Sequence, residues 1–84
     1  MAQLAPTLQQ KIVSDPDAPQ QVIVRVNGNL DARGETLEAN GFQIRRKLGL
    51  VKGFAATAPG SAISEIARQP WVTSIEEDQQ VHTM

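Results

Sequence analysis

The chain is organised around its last fourteen residues, Trp71-Val-Thr-Ser-Ile-Glu-Glu-Asp-Gln-Gln-Val-His-Thr-Met84. The beginning of this stretch is rich in aromatic and β-branched residues, which is typical of a strand, and the preceding Pro70 ends any helix before it. Because side chains alternate along a strand, Glu76 and Asp78 share one face and Glu77 takes the other. The stretch therefore predicts a final strand that ends in an acidic cluster.

The remainder of this stretch, Gln79 to Met84, predicts an extended tail. It has no helical period and no glycine, and polar residues separate its apolar residues, Val81 and Met84. A chain that runs on extended after a strand is suited to binding in a protease groove or along a sheet edge. Short polar termini are otherwise often disordered, and the residues alone leave both interpretations open.

Gln21 to Val26 carries the strongest strand pattern upstream, with valines at alternate positions. Asn29 follows in a turn and is placed to cap the next helix. The predicted inner face of that helix consists of Leu30, Gly34 and Leu37. Asn40-Gly41 is a good helix end, because glycine readily takes the left-handed conformation there.

Two further strand patterns and a helix follow. Residues 42–48 alternate in polarity, and residues 51–58 form another strand pattern. Thr57 or Ser61 is predicted to cap the following helix, whose first turn suits Pro59. The predicted apolar face of this helix consists of Ala62, Ile63, Ile66 and Ala67.

The order strand, helix, strand, strand, helix, strand predicts an α+β domain with the ferredoxin-like βαββαβ arrangement. Right-handed crossovers then place two helices on one face of a four-stranded antiparallel sheet. Phe42 and Phe54 are predicted to lie in the core, and Gly53 to mark a bulge or a close approach of two backbones.

The other face of the predicted sheet has no helix to cover it. Its predicted outward residues are Ile23, Arg25, Arg45, Val72, Ser74, Glu76 and Asp78. This mixture of apolar and charged side chains is either a solvated face or a docking surface.

The first twenty residues differ from the rest. Leu4, Leu8 and Ile12 are spaced as one stripe of a short helix. That stretch is either a frayed tail or a helix packed on the domain edge, and Asp15 to Pro19 follows as a linker. We accordingly predict an extension and linker over residues 1–20, the domain over 21–78 and the tail over 79–84.

Composition and charge argue against some classes of partner. The chain has 84 residues, a net charge of −1 and no cysteine, so it lacks the basic surface of a nucleic-acid-binding domain. No apolar run reaches the roughly 20 residues that span a bilayer, and no signal peptide is visible. We therefore expect no membrane and no nucleic-acid partner. The protein is either cytoplasmic or a piece of a secreted precursor.

Catalysis is not expected. His82 is the single histidine, so neither a metal site nor another cofactor is predicted. The serines lie in segments without the strained turn that presents a nucleophile. Ferredoxin-like sheets also bind RNA, but that mode requires exposed aromatic residues in a basic field.

Three motifs together carry a resemblance to a known family. They are Gln21-Val-Ile-Val-Arg-Val26, Val51-Lys-Gly-Phe-Ala-Ala-Thr57 and the stretch from Trp71 to Met84. In this order and spacing they resemble the propeptides of subtilisin-like serine proteases, the peptidase inhibitor I9 family. The resemblance covers the chain from about Gln21 to Met84.

The resemblance implies a partner and a binding mode. The partner is a subtilisin-like serine protease, on which the open sheet packs against two parallel surface helices. Glu76 and Asp78 then cap the N-termini of those helices. The tail residues that enter the cleft are Gln80, Val81, His82, Thr83 and Met84. Met84 fills the primary specificity pocket and Val81 a second apolar pocket.

The resemblance also implies a role in folding and an extracellular location, as part of a secreted protease precursor that its propeptide helps to fold. A cytoplasmic location applies if the chain is a stand-alone inhibitor. The rival hypothesis is a non-catalytic ferredoxin-like interaction module with no protease partner, which pairs through its sheet.

Overall fold

Eight elements make up residues 3–78, the part of the chain that the structure, a computed structural model, describes. They are β1 (Gln3–Leu4), α1 (Pro6–Ser14), β2 (Pro19–Val26), α2 (Leu30–Ala39), β3 (Gln43–Leu48), β4 (Gly53–Pro59), α3 (Gly60–Ile66) and β5 (Val72–Glu77).

The strands form one sheet in the order β1-β5-β2-β4-β3. The four strands from β2 to β5 pair antiparallel, and β1 adds to the outer edge of β5 in parallel. α2 connects β2 to β3, and α3 connects β4 to β5. This confirms the predicted α+β ferredoxin-like arrangement, to which β1 is an addition that the sequence did not suggest.

The core lies between one face of the sheet and the three helices. Its most enclosed side chains are Leu8, Val22, Val24, Val26, Leu37, Ile63, Ile66 and Ile75. Phe42 and Phe54 are buried among them, as predicted. Gly34 of α2 leaves room for the Phe54 ring, since a Cβ there would lie 3.3 Å from that ring.

The apolar stripe of the N-terminal residues belongs to a packed helix. Leu8 and Ile12 of α1 are buried in the same core as the sheet. Ile12 lies against the start of α3, where a Cβ on Gly60 would be 3.1 Å from its side chain. Of the two alternatives for this stretch, the packed helix is therefore the one observed, whereas the three-part division of the chain stays a prediction.

Two local predictions about β4 and α3 were wrong. β4 begins at Gly53 rather than Val51, because Lys52 has a φ of 50° in the turn and interrupts the extended backbone. Neither Thr57 nor Ser61 caps α3, whose N-cap is Pro59 without a side-chain hydrogen bond. Thr57 is still within β4, so its side chain comes too early in the chain to reach the helix start.

The two caps of α2 follow the sequence more closely. The side chain of Asn29 accepts a hydrogen bond of 3.1 Å from the backbone N–H of Ala32. At the other end, Gly41 has a φ of 93°, which an L side chain rarely adopts. Asparagine and glycine thus delimit α2 as their backbone preferences predict.

Candidate functional site

The face of the sheet away from the helices is defined by strand register. Residues directly opposite one another point to the same side, so one row across four strands runs Arg46, Ala55, Ile23 and Glu76. We call this surface the open face; its members are Gln21, Ile23, Arg25, Gln43, Arg46, Leu48, Ala55, Thr57, Ser74 and Glu76. It combines charged and apolar side chains, as expected from the sequence.

Val72 was predicted to point outward, and this was wrong. Arg25 is opposite Ser74 but Val26 is opposite Val72, so the register shifts by one residue and Thr73 has no partner. The shift turns Val72 to the helix side beside Val26, where it is buried. Simple alternation along β5 would not reveal this bulge.

A second register shift lies in β3. Ile44 is opposite Ala56 and Arg46 is opposite Ala55, so Arg45 is the unpaired residue. From this position the Nη2 atom of Arg45 donates to Oδ2 of Asp78 over 2.5 Å. The guanidinium reaches the last described residue of the chain from the opposite edge of the antiparallel sheet, a contact that the sequence did not suggest.

The acidic cluster at the end of β5 divides between two faces, as its alternation predicts. Glu76 is opposite Ile23 on the open face, and its Oε1 lies 3.8 Å from Nε of Arg25. Alternation places Asp78 on the same side, and its backbone N–H donates to the carbonyl of Gln21 over 2.9 Å. Each carboxylate has an arginine neighbour, yet about half of the Glu76 side chain remains exposed.

Glu77 points to the helix side of the sheet. Its Oε2 lies 2.9 Å from Nζ of Lys11, in the last turn of α1, and its side chain is only 12 % exposed. Its other oxygen, Oε1, is buried without a hydrogen-bond partner among residues 3–78. The sequence offered no signal for this pair, because the two residues are 66 positions apart.

An apolar groove borders the charged part of the open face. Ile23, Leu48, Leu50 and Val51 line it, with Arg25 and Glu76 at its charged side. Leu50 is fully exposed in the turn between β3 and β4, and Val51 is partly exposed. The sequence had placed Val51 inside a strand, so the apolar character of this turn became visible only in the structure.

The aromatic residues all lie away from the open face. The chain has three of them: Phe42 and Phe54 are in the core, and the Trp71 ring packs 4.7 Å from the guanidinium of Arg33 on α2. An RNA-binding sheet of this fold stacks bases on exposed aromatic residues of its middle strands. In this chain the corresponding surface has none.

The predicted cleft residues Gln80, Val81, His82, Thr83 and Met84 lie outside the described residues. Their assignment stays a prediction. Within residues 3–78, no helix is long and apolar enough to cross a membrane.

Comparison with known families decides the assignment. A family model described as peptidase inhibitor I9 matches residues 7–84. The chain belongs to the peptidase inhibitor I9 family. The match begins within α1, whereas the motifs recognised in the sequence begin at Gln21. A comparison with curated proteins gave no match.

Membership in the I9 family supplies the general function. The family comprises inhibitory propeptides of subtilisin-like proteases. These propeptides are parts of secreted protease precursors and are in general not catalytic themselves. The candidate site of this I9 domain therefore consists of the open face and the end of β5, with the carboxylates of Glu76 and Asp78.

Proposed function

We propose that this I9 domain inhibits a subtilisin-like serine protease outside the cell. The open face docks on the protease, and residues Gln80 to Met84 occupy its cleft. The observation that supports this most directly is the end of β5. Glu76 and Asp78 are on one side of it, immediately before the tail.

The carboxylates have a physical role in this docking. A helix N-terminus has unsatisfied N–H groups and about half a positive charge. A carboxylate supplied by a partner can accept from those N–H groups, and Glu76 and Asp78 are proposed to do so on two helices of the protease. The contacts with Arg25 and Arg45 engage one oxygen of each carboxylate, which leaves acceptor sites on the other oxygen.

The tail is proposed to bind as an extended strand. Val81 and Met84 are three residues apart, and they fill two apolar pockets while the backbone pairs with the cleft. Met84 takes the primary specificity pocket, so the proposal favours a protease that accepts long apolar side chains.

The same interaction gives the domain a proposed role in folding. A ligand that binds only the folded protease stabilises that state by mass action. An I9 domain that recognises two helices and the cleft together therefore favours the assembled protease over its unfolded chain.

The decisive experiment is a titration of a purified subtilisin-like protease with this domain, with residual activity followed over hours. Stoichiometric inhibition is expected. Subsequent recovery of activity indicates a propeptide that is digested, and lasting inhibition a dedicated inhibitor. Absence of inhibition at micromolar domain across several such proteases, with the fold confirmed by circular dichroism, would contradict the proposal.

Removal of Gln79 to Met84 separates this proposal from its rival. A protease inhibitor should lose most of its potency without the tail. An interaction module that pairs through its sheet should bind its partner unchanged.

A double substitution tests the two carboxylates. Glu76→Gln with Asp78→Asn is expected to raise the inhibition constant about 3- to 30-fold, since each helix-end charge contributes about 0.3–1 kcal/mol. The matched control is Glu35→Gln with Glu38→Gln, which removes the same charge from exposed positions on α2. Equal inhibition constants for the two double variants would contradict the capping role.

A further inference from the structure

We propose that the N-terminal segment β1–α1 positions the end of β5 for protease binding, with Lys11 and Glu77 as its positioning residues. The inference rests on the proposed function, because the segment matters for inhibition only if β5 presents its carboxylates and tail to a protease. It assigns a role to a part of the chain that the docking proposal does not use.

Glu77 lies in an unusual environment for a carboxylate. Its carboxylate is largely buried, is paired with Lys11 at 2.9 Å and leaves Oε1 without a partner within residues 3–78. Burial of a carboxylate costs free energy that one ion pair seldom repays, and an apolar residue of similar size is often more stabilising. Stability alone therefore does not account for this pair, whose geometry holds the Glu77 side chain on the helix side of the sheet.

Hydrogen bonds hold the last strand, β5, at both of its edges. On its outer edge, β1 is opposite Ser74 and Ile75, and the N–H of Ala5 donates to the carbonyl of Ile75 over 3.3 Å. Beyond Ile75, the Lys11–Glu77 pair continues this attachment. On the inner edge, the N–H of Asp78 donates to Gln21.

The packing of α1 in the core fixes the position of Lys11. Leu8 is completely buried and Ile12 is nearly so. Ile12 also lies against the backbone of Gly60 at the start of α3. Lys11 therefore stands on a helix that the core holds in place, even though its own side chain is half exposed.

The consequence concerns the neighbours of Glu77. Because side chains alternate along an extended backbone, holding Glu77 on the helix side directs Glu76 and Asp78 to the open face. It also sets the direction in which the chain leaves the sheet. A group that is oriented before binding loses less conformational entropy on binding. The Lys11–Glu77 pair should therefore increase the affinity of the domain for the protease without touching the protease.

The test compares Glu77→Gln and Lys11→Met with the control Asp31→Asn, all in the full chain. Asp31→Asn also removes a carboxylate from a lysine pair, at 2.6 Å from Lys47, but on the exposed start of α2. We expect the inhibition constant to rise about 5- to 20-fold in the two Lys11–Glu77 variants and to stay unchanged in the control.

Hydrogen exchange provides a readout without protease. The amide of Asp78 should exchange at least about tenfold faster in Glu77→Gln and Lys11→Met, while the amides of β4 keep their wild-type rates. The double variant should be no worse than either single variant, because both remove one interaction. The double variant Lys11→Glu with Glu77→Lys, which swaps the two charges, should partly restore the slow hydrogen exchange of the Asp78 amide.

Wild-type exchange at Asp78 in both single variants would overturn the inference, whatever their thermal stability. So would an unchanged inhibition constant in a chain that inhibits. Should the wild-type chain inhibit no protease, the proposed function fails, but the Asp78 exchange rates still decide whether this pair holds the end of β5.

Discussion

Gly53 shows how one residue sets the spacing of two strands. A Cβ at this position would lie 2.6 Å from the carbonyl oxygen of Val24, on the neighbouring strand β2. Real Cβ atoms do not approach a backbone oxygen so closely, and the backbone of a central strand cannot move freely. The sequence prediction of a bulge or a close approach is therefore resolved in favour of the close approach.

Gly53→Ala is expected to lower the free energy of unfolding by about 1–3 kcal/mol, the usual cost of forcing extra atoms into a packed site. Urea unfolding followed by circular dichroism measures this. The control is Gly49→Ala, where a Cβ would meet no atom within 4 Å and where a change within about 0.5 kcal/mol is expected. Equal midpoints for the two variants would contradict the steric argument.

The fold changes the ionisation of the Asp31 carboxyl. A hydrogen bond from Lys47, and then the charge of that lysine, hold the pKa of the Asp31 carboxyl below its usual value. A group whose pKa is lower in the folded state stabilises that state above its unfolded pKa. The contribution is lost as the pH falls through the folded pKa.

Asp31→Asn should therefore reduce stability at pH 6 and make no difference well below pH 4. Urea midpoints of both proteins, measured between pH 2 and pH 7, test this. Because Asp31 is exposed, 1 M salt should shrink the difference at pH 6. A difference independent of pH would show that the substitution acts through something other than the charge of Asp31.

At the scale of elements, α1 is the clearest case of a segment whose importance the sequence left undecided. Its stripe is correctly spaced for a helix, but the same residues also fit a frayed end. Burial of Leu8 and Ile12 in the common core makes α1 part of the folded unit.

Leu8→Ala is expected to cost about 2–5 kcal/mol of unfolding free energy, as is usual for a leucine truncated in a core. The control on the same helix is Val13→Ala, because Val13 is 83 % exposed. Chemical denaturation measures the loss of unfolding free energy in each of the two variants. Similar losses would mean that α1 does not pack in solution as it does in the structure.

Alternation of side chains predicts the buried face correctly for β2 but not throughout β3 and β5. β2 keeps strict alternation, and its valines face the core as the sequence predicts. β3 and β5 each include a register shift, and these shifts reverse the predicted side of Val72 and free Arg45 to reach Asp78. A bulge depends on how two strands fit together, so one strand's sequence does not specify it.

For the whole molecule, the proposed function predicts that binding and folding are linked. A partner that binds only the folded domain stabilises it by about 2.7 kcal/mol at one hundred times its dissociation constant. With a catalytically inactive protease at that concentration, the amides of β2 and β4 that exchange by global unfolding should slow about 100-fold. Hydrogen exchange with mass spectrometry measures this, and unchanged rates would show that the folded domain is not what the protease binds.

Three features could be predicted from the sequence without the structure: the order of the elements from β2 to β5, the core positions of Phe42 and Phe54, and the shared face of Glu76 and Asp78. These follow from local rules, namely the period of side chains along a strand or helix and the backbone preferences of glycine, proline and asparagine.

Three other features became visible only in the folded chain: the addition of β1 to the sheet, the two register shifts, and the partners of the acidic cluster. Arg45 and Asp78 are 33 positions apart, and Lys11 and Glu77 are 66. Such contacts exist because the topology brings residues of β3 and of α1 to the end of β5, on its two faces, and no local property of either partner encodes these contacts.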